Sequence, residues 1–320
     1  MTQHPTTIAS TLERMAEPPS FVRAIVLTTK PGITRLVTIT SLVGFAMAAL
    51  GRSWTAQQFV VALLGCAIGT FLSAGGANAL NQWLERDRDA RMPRTAGRPI
   101  PAGHLTAGTV LAAGVTLCAT GLLVLGLCVG IAPMLVSFAC MVVYVVAYTP
   151  LKTRTALATL VGTIPGALPP LIGWTSASEA SGLGALAEPG GLSLFALMTV
   201  WQLPHFWAIA WLYREDYAHG GYRVLPMTDP TGVKTSAAIV ATAALLLPAT
   251  LWPAFAMPNL LGPIYIAVAG MTGLAFFALA FAMARSRTRP AARRLFFASI
   301  IHLPVLLIAM VIDGFVHTLL

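Results

Sequence analysis

Apolar runs long enough to cross a lipid bilayer fill most of this chain, and they constrain its fold more than any other feature. A bilayer core is spanned by about 20 predominantly apolar helical residues. Hydropathy divides the sequence into nine such stretches, at approximately 32–51, 57–82, 107–129, 131–149, 156–175, 192–213, 234–254, 262–284 and 294–316. Backbone amides and carbonyls find no partner in lipid, so spans of this length must be helices. With 57% hydrophobic and only 10% charged residues, the chain has too little polar surface to cover a water-soluble domain. The expected fold is all-α, a polytopic membrane bundle of nine transmembrane helices. Residues 1–24 are expected to form a flexible cytoplasmic tail, and residues 25–320 a single transmembrane domain. The first thirty residues are polar and lack the apolar core of a cleaved signal peptide.

The few charges are arranged. With the N-terminus in the cytoplasm, nineteen of the twenty Lys and Arg residues fall on the cytoplasmic side and only Arg52 on the other, as the positive-inside bias requires. The net charge of +9 therefore reports membrane topology and anionic ligands at one pole, and gives no support to nucleic-acid binding. Cys66, Cys118, Cys128 and Cys140 all lie in apolar runs without C-x-x-C spacing, where cysteine acts as a small hydrophobe.

One stretch breaks the pattern. "LNQWLERDRDARMPRTAGRPIPAG", from Leu80 to Gly103, packs three acids and five arginines between two apolar runs. If the second helix continues past the bilayer edge, Asn78, Asn81, Glu85 and Asp89 fall within about 80° of one another on one face, at about 100° per residue. Asp87 points elsewhere, and Pro93 ends the helix. An amide and two carboxylates so placed form a hard-oxygen set suited to magnesium, which completes its shell with water and phosphate oxygens. The alternative is a solvated helix end whose surface ion pairs contribute little. Two features weigh against it. Arg94 and Arg98 follow the acids, where they can hold an anion against a metal. A second acidic group, Glu215 and Asp216 in "WLYREDYAHGGYR", lies on the same side of the membrane. Such a pole suits a metal-bridged diphosphate and its loss from an allylic carbon, with the developing charge stabilised by metal and cations and water excluded by an apolar cavity.

These residues resemble the UbiA-type intramembrane prenyltransferases. "NQWLERDRD" is similar to their first acidic motif, Asn-x-x-x-Asp-x-x-x-Asp. The extension Met92–Pro99, M-x-R-T-x-x-R-P, resembles the branch that farnesylates protoheme IX. Further matches to that branch are "TKPGI" (Thr29–Ile33), "YTPLKTRT" (Tyr148–Thr155), "GTIPGALPPLIGW" (Gly162–Trp174) and "WQLPHFWAIAWLYREDYAHGG" (Trp201–Gly221), so the resemblance covers roughly residues 25–315. It implies nine helices around a central cavity open to the cytoplasmic side and to lipid, Mg2+ as cofactor, farnesyl diphosphate as donor and protoheme IX as acceptor. By position, Asn81, Glu85 and Asp89 form the first metal site and Asp216 the second. Lys30, Arg94, Arg98, Lys152 and Arg154 face the diphosphate or the heme propionates, with Asn78, Gln202, His205 and Tyr213 as further substrate contacts. The implied setting is the bacterial cytoplasmic membrane, N-terminus cytoplasmic and C-terminus outside, with oxidase heme-maturation enzymes as candidate partners. The chain departs from the pattern twice: it has Glu85 where the first motif carries Asp, and Gly220 where the second carries an Asp four residues after Asp216.

Among the remaining polar residues, His205 is expected either to hydrogen-bond within the bundle or to contact heme. His302 is expected to hydrogen-bond within the bundle, and Asp313, near the outer end of the last helix, to meet water. Pro165, Pro169 and Pro170 are expected to bend the fifth helix, its glycines serving packing. Two other functions fit less of the pattern. A UbiA-type enzyme acting on a quinone-precursor aromatic acceptor would share the donor site. A transporter would place its binding groups near the bilayer midplane, whereas these acids gather at one pole.

Overall fold

The computed structural model describes residues 18–50, 52–180 and 182–319, and all of its regular structure is helical. The expected tail, residues 1–24, lies outside the described residues up to residue 17; Phe21–Thr28 already forms a helix, α1, started by Ser20, whose hydroxyl accepts from Arg23 N. The long helices follow as α2 (Pro31–Leu50), α3 (Ala56–Asp89), α4 (Ala107–Cys128), α5 (Ile131–Val142), α6 (Ala158–Ala177) and α7 (Pro189–Leu212). Short α8 (Arg214–His219) and α9 (Leu225–Thr228) precede α10 (Val233–Ala256), α11 (Pro263–Ser286) and α12 (Arg289–Leu319).

Eight helices among the described residues are long and apolar enough to cross a membrane, the chain from Ile131 to Leu151 counting as one. The stretch expected as a further span at 156–175 is the 20-residue helix α6. Its three prolines and three glycines dilute its hydropathy, and most of its surface is buried by protein rather than left for lipid.

Successive helices pack on one another, and the circuit closes where α6 lies against α2 and α7, and α12 against α7 and α2. Lipid gives no hydrophobic drive for helix association, so close backbone approach has to supply the contact. Glycines permit it at two crossings. A Cβ on Gly76 would come within 2.6 Å of Cys118 N in α4, and one on Gly173 would collide with Ser41 O in α2. The main apolar core, including Leu197, Ile239, Leu246, Phe276 and Leu306, lies among α7, α10, α11 and α12. All four cysteines are free thiols.

Three local features differ from expectation. The fourth span is not one regular helix: Val143–Tyr148 is a π-helical segment, after which Thr149–Leu151 resumes the α-helix. Asp313 does not face water. It is buried and accepts from Gly262 N at 2.6 Å and Tyr265 N at 3.1 Å, so it caps the start of α11 from another helix. Burial there is compensated because the amides of a helix start are unpaired and bear partial positive charge. His302 is buried against Phe276, but neither ring nitrogen has a partner among the described residues.

Candidate functional site

The helix through the acidic stretch does continue, ending at Asp89, four residues before Pro93. Its last turns bury Asn78, Asn81, Gln82, Glu85 and Asp89. The chain then folds back through a series of turns. Met92 and Thr95 are buried, and the Thr95 hydroxyl donates to Asp89 O at 2.9 Å. This reversal brings Arg98 onto the helix end, where its Nη1 meets Asp89 Oδ2 at 2.6 Å. The other oxygen, Asp89 Oδ1, is buried with no partner among the described residues.

Two further cations arrive from other elements. Gln82 Nε2 donates to Leu27 O and Thr28 O, tying the end of α1 to α3. The next turn holds Lys30 in the left-handed region at φ 49°, unfavourable for a residue with a Cβ by about 1–2 kcal/mol. That conformation directs Lys30 Nζ to Asn81 Oδ1 at 2.6 Å, with Tyr144 OH at 3.5 Å. Lys152, just beyond Leu151, pairs with Glu85, and Tyr222 OH donates to Glu85 Oε1 at 3.3 Å. Arg223 N donates to Lys152 O at 2.9 Å, so the loop after α8 is fastened to the loop after α5.

The amides are equally fixed. Asn81 Nδ2 donates to Thr149 Oγ1, Asn78 Nδ2 to Thr34 Oγ1, and Tyr144 OH to Asn78 Oδ1. The π-helical segment carries Tyr144 and Tyr148, whose rings stack at 6.0 Å. Lys152 Nζ lies over the rings of Tyr148 and Tyr222, at 5.5 and 4.8 Å. Such π segments occur mostly as single turns, frequently at functional sites. Tyr144, Tyr148, Thr149 and Tyr222 escaped the sequence reading. The one available signal was the pair of tyrosines four apart just before "TPLK".

The electrostatics follow from this crowding. Burial, then the neighbouring Arg98 and Lys152 charges, pull Lys30 from its ordinary 10.5 down to about 7, against the opposing pull of Glu85 and Asp89. Burial also pulls on Lys152, but Glu85 and Tyr222 outweigh it and hold that ammonium above its ordinary value. Burial pushes the Tyr222 phenol up to about 12, so it stays protonated and donates.

Seven expected site residues thus converge: Lys30, Asn78, Asn81, Glu85, Asp89, Arg98 and Lys152. The others are placed differently. Arg94 is exposed and lies over the Tyr213 ring at 5.8 Å. Asp216 is half-exposed in α8 and makes no ion pair among the described residues, and Arg154 is exposed. Gly220, where the second motif would carry another aspartate, is packed against Met92 Sδ and the Tyr222 ring, which a Cβ there would approach to 2.7 and 2.8 Å. Gln202 is buried and donates to Thr163 O and Met198 O, bracing α7 against α6. His205 Nδ1 lies 2.7 Å from Ser299 Oγ, and its ring stacks on Trp201. No three His, Cys, Asp or Glu side chains among the described residues gather closely enough to hold a metal by themselves. A metal here would draw on an amide and on ligand oxygens as well as carboxylates. The donor chemistry fits magnesium, and the unpartnered Asp89 Oδ1 is a carboxylate oxygen free to take it.

Comparison with known proteins covers nearly the whole chain. The pattern of the UbiA prenyltransferase family matches residues 37–301. A protoheme IX farnesyltransferase of Anaeromyxobacter sp. (strain Fw109-5) is 41% identical over 308 residues, covering 95% of this chain and 98% of that protein. One of Solibacter usitatus (strain Ellin6076) is 38% identical over 89% of this chain and 96% of its own. Among solved structures, a digeranylgeranylglyceryl phosphate synthase superposes with a TM-score of 0.73 at 12% identity, covering 92% of this chain and 98% of that one. A UbiA homologue from Archaeoglobus fulgidus bound to GPP and Mg2+ superposes with a TM-score of 0.60 at 14% identity, covering 93% and 100%. At these identities the structural likeness concerns the fold.

Proposed function

The chain belongs to the UbiA prenyltransferase family, and from that premise we propose that it transfers the farnesyl group of farnesyl diphosphate to a vinyl group of protoheme IX. The enzyme is a multi-pass membrane transferase. The proposed setting is the bacterial cytoplasmic membrane, with nine spans, the N-terminus cytoplasmic and the C-terminus outside, and residues 25–320 acting as one catalytic unit. The observation that carries the reading is the joining of Lys30, Arg98 and Lys152 to one amide-and-carboxylate face.

A face that already holds three cations on Asn81, Glu85 and Asp89 is prepared to exchange partners. When a diphosphate enters, the two ammonium groups and the guanidinium turn to its oxygens, and the amide and carboxylate oxygens they leave would be free to hold a metal. Asn81, Glu85 and Asp89 would hold one Mg2+ and Asp216 would contribute to a second. When bound there, Mg2+ would supply Lewis-acid stabilisation of the charge that develops on the diphosphate. Arg94, steadied on Tyr213, closes over the anion, and Arg154 stands at the rim. Tyr144, Asn78 and Thr34 keep Asn81 and Lys30 oriented, so that little rearrangement remains for the reaction itself.

In the reaction the C1–O bond of the donor breaks and C1 bonds to the terminal vinyl carbon. The positive charge left on the other vinyl carbon takes the oxygen of a water, whose proton departs, leaving a hydroxyethylfarnesyl substituent. A farnesylated heme is a terminal-oxidase cofactor precursor, so oxidase heme-maturation enzymes are the expected partners. The test is an incubation of purified protein with Mg2+ and farnesyl diphosphate, offering heme b and 4-hydroxybenzoate together and reading products by mass. Farnesylated heme is expected; prenylated hydroxybenzoate without any farnesylated heme would assign the chain to a quinone-precursor enzyme.

A further inference from the structure

Outside the diphosphate pole lies a cleft whose chemistry is both cationic and aromatic. It has a volume of about 430 Å³ and lies between the end of α7 and the start of α12. Its walls include Leu212 and Tyr213 from one side and Arg289, Arg293, Phe296 and Phe297 from the other. Arg289 and Arg293 are exposed and form no ion pair among the described residues. Four residues apart on one helix, they share a face and are separated by about 6 Å along it. Both lie in the first two turns of α12, where a positive charge opposes the helix dipole, so they are not there to stabilise the helix. The positive-inside bias explains their side of the membrane but not their place in an aromatic cleft.

The cleft leads in two directions. Phe296 lies against the His205 ring at 5.2 Å, and His205 shares a face of α7 with Leu212, about 10 Å deeper in the bundle. His205 uses only Nδ1 for its bond to Ser299. On the other side, Tyr213 carries Arg94 at 5.8 Å, linking the cleft to the diphosphate pole.

We propose that this cleft is the acceptor site, in which Arg289 and Arg293 pair with the two carboxylates of a dicarboxylate tetrapyrrole while Phe296, Phe297 and Leu212 receive its flat apolar ring. The inference rests on the function proposed above and assigns its acceptor to residues outside the acidic motifs. Guanidinium groups suit the task because each presents a planar fork to a carboxylate. A ring held by one anionic edge at the membrane surface directs its opposite, vinyl-bearing edge inward, toward His205. Arg154 and Lys152 are then left to the diphosphate.

The experiment uses the full chain in nanodiscs and two probes, protoheme IX and its dimethyl ester, which keeps the ring and vinyls but lacks both charges. Binding is titrated by the heme absorption band, independently of turnover. The wild type is expected to prefer the diacid by at least about tenfold, the loss corresponding to one charge-assisted hydrogen-bonded contact. The double variant Arg289→Gln/Arg293→Gln loses that preference, its KM for heme rises, and its KM for farnesyl diphosphate is unchanged. If the double variant does not fold, the single Arg293→Gln variant is expected to lose part of the preference. Arg285→Gln/Arg287→Gln behaves as wild type. A double variant that keeps the wild-type preference overturns the assignment, as does one that loses only co-purified anionic phospholipid, which would make the cleft a headgroup site. A wild type that binds heme with this preference yet forms no farnesylated heme would instead remove the proposed function and leave the binding site standing.

Discussion

Asp89 joins both halves of the site in one side chain: one carboxylate oxygen is held by Arg98, the other is buried with no partner among the described residues. Asp89→Asn keeps the shape but removes the charge that a metal needs. Turnover is expected to fall by on the order of a hundredfold or more while the protein still elutes as a folded species, because half-buried Arg98 can turn to water. Wild-type turnover in that variant would end its assignment as a metal ligand. Lys30 makes a second prediction. With its ammonium brought down to about 7, it is charged below that pH and neutral above it in the free protein, so binding a diphosphate above pH 7 must draw in a proton. Affinity for inorganic diphosphate, measured by calorimetry, is therefore expected to weaken as pH rises through 7 relative to Lys30→Arg, which stays charged; equal pH profiles would contradict this. The same shift acts on folding. Between about 7 and 10.5 the unfolded chain holds a proton that folded Lys30 has released, so this residue makes the fold more stable as pH rises across that window. Asn81, Glu85 and Asp89 were legible as a set because helical periodicity alone puts them on one face. Lys30 could be named from the sequence, but its left-handed backbone and its bond to Asn81 depend on α1 being tied to α3, a contact between distant segments.

The helices themselves were the most legible part, since lipid leaves an apolar run of that length no other backbone structure. What the apolar runs could not reveal was how backbones meet. Gly173→Leu is expected to force α6 from α2 and lower stability by about 3 kcal/mol or more, read from detergent unfolding, whereas Gly270→Ala, with open space around it, changes little. Equal stabilities for the two variants would show that the α2–α6 crossing is loose. Asp313 was misread because its partners, the amides of Gly262 and Tyr265, belong to another helix and carry no side-chain signature. Asp313→Ala is expected to cost about 1.5–3 kcal/mol, the range for hydrogen bonds to a charged group, with activity retained in the protein that stays folded. The π-helical segment was hidden for a similar reason, because an extra residue in a turn leaves hydropathy unchanged while re-aiming Tyr144 and Tyr148.

At the scale of the whole molecule, a chain with only 10% charged residues brings three cations and two carboxylates together at the end of one long apolar helix. There, anions, metal and a membrane-soluble donor can meet while the isoprenoid chain stays out of water. The acidic face was readable in the sequence; its neutralisation by cations from three other segments was not, since it depends on loops after α1, α3 and α5 converging on the end of one helix. The most direct test follows one reaction from both sides, counting inorganic diphosphate released and farnesylated heme formed by the reconstituted wild type, with and without Mg2+. One diphosphate per farnesylated heme is expected, with both lost together when Mg2+ is removed and in Asp89→Asn. Farnesylated heme formed at the wild-type rate without Mg2+, or in Asp89→Asn, would contradict it.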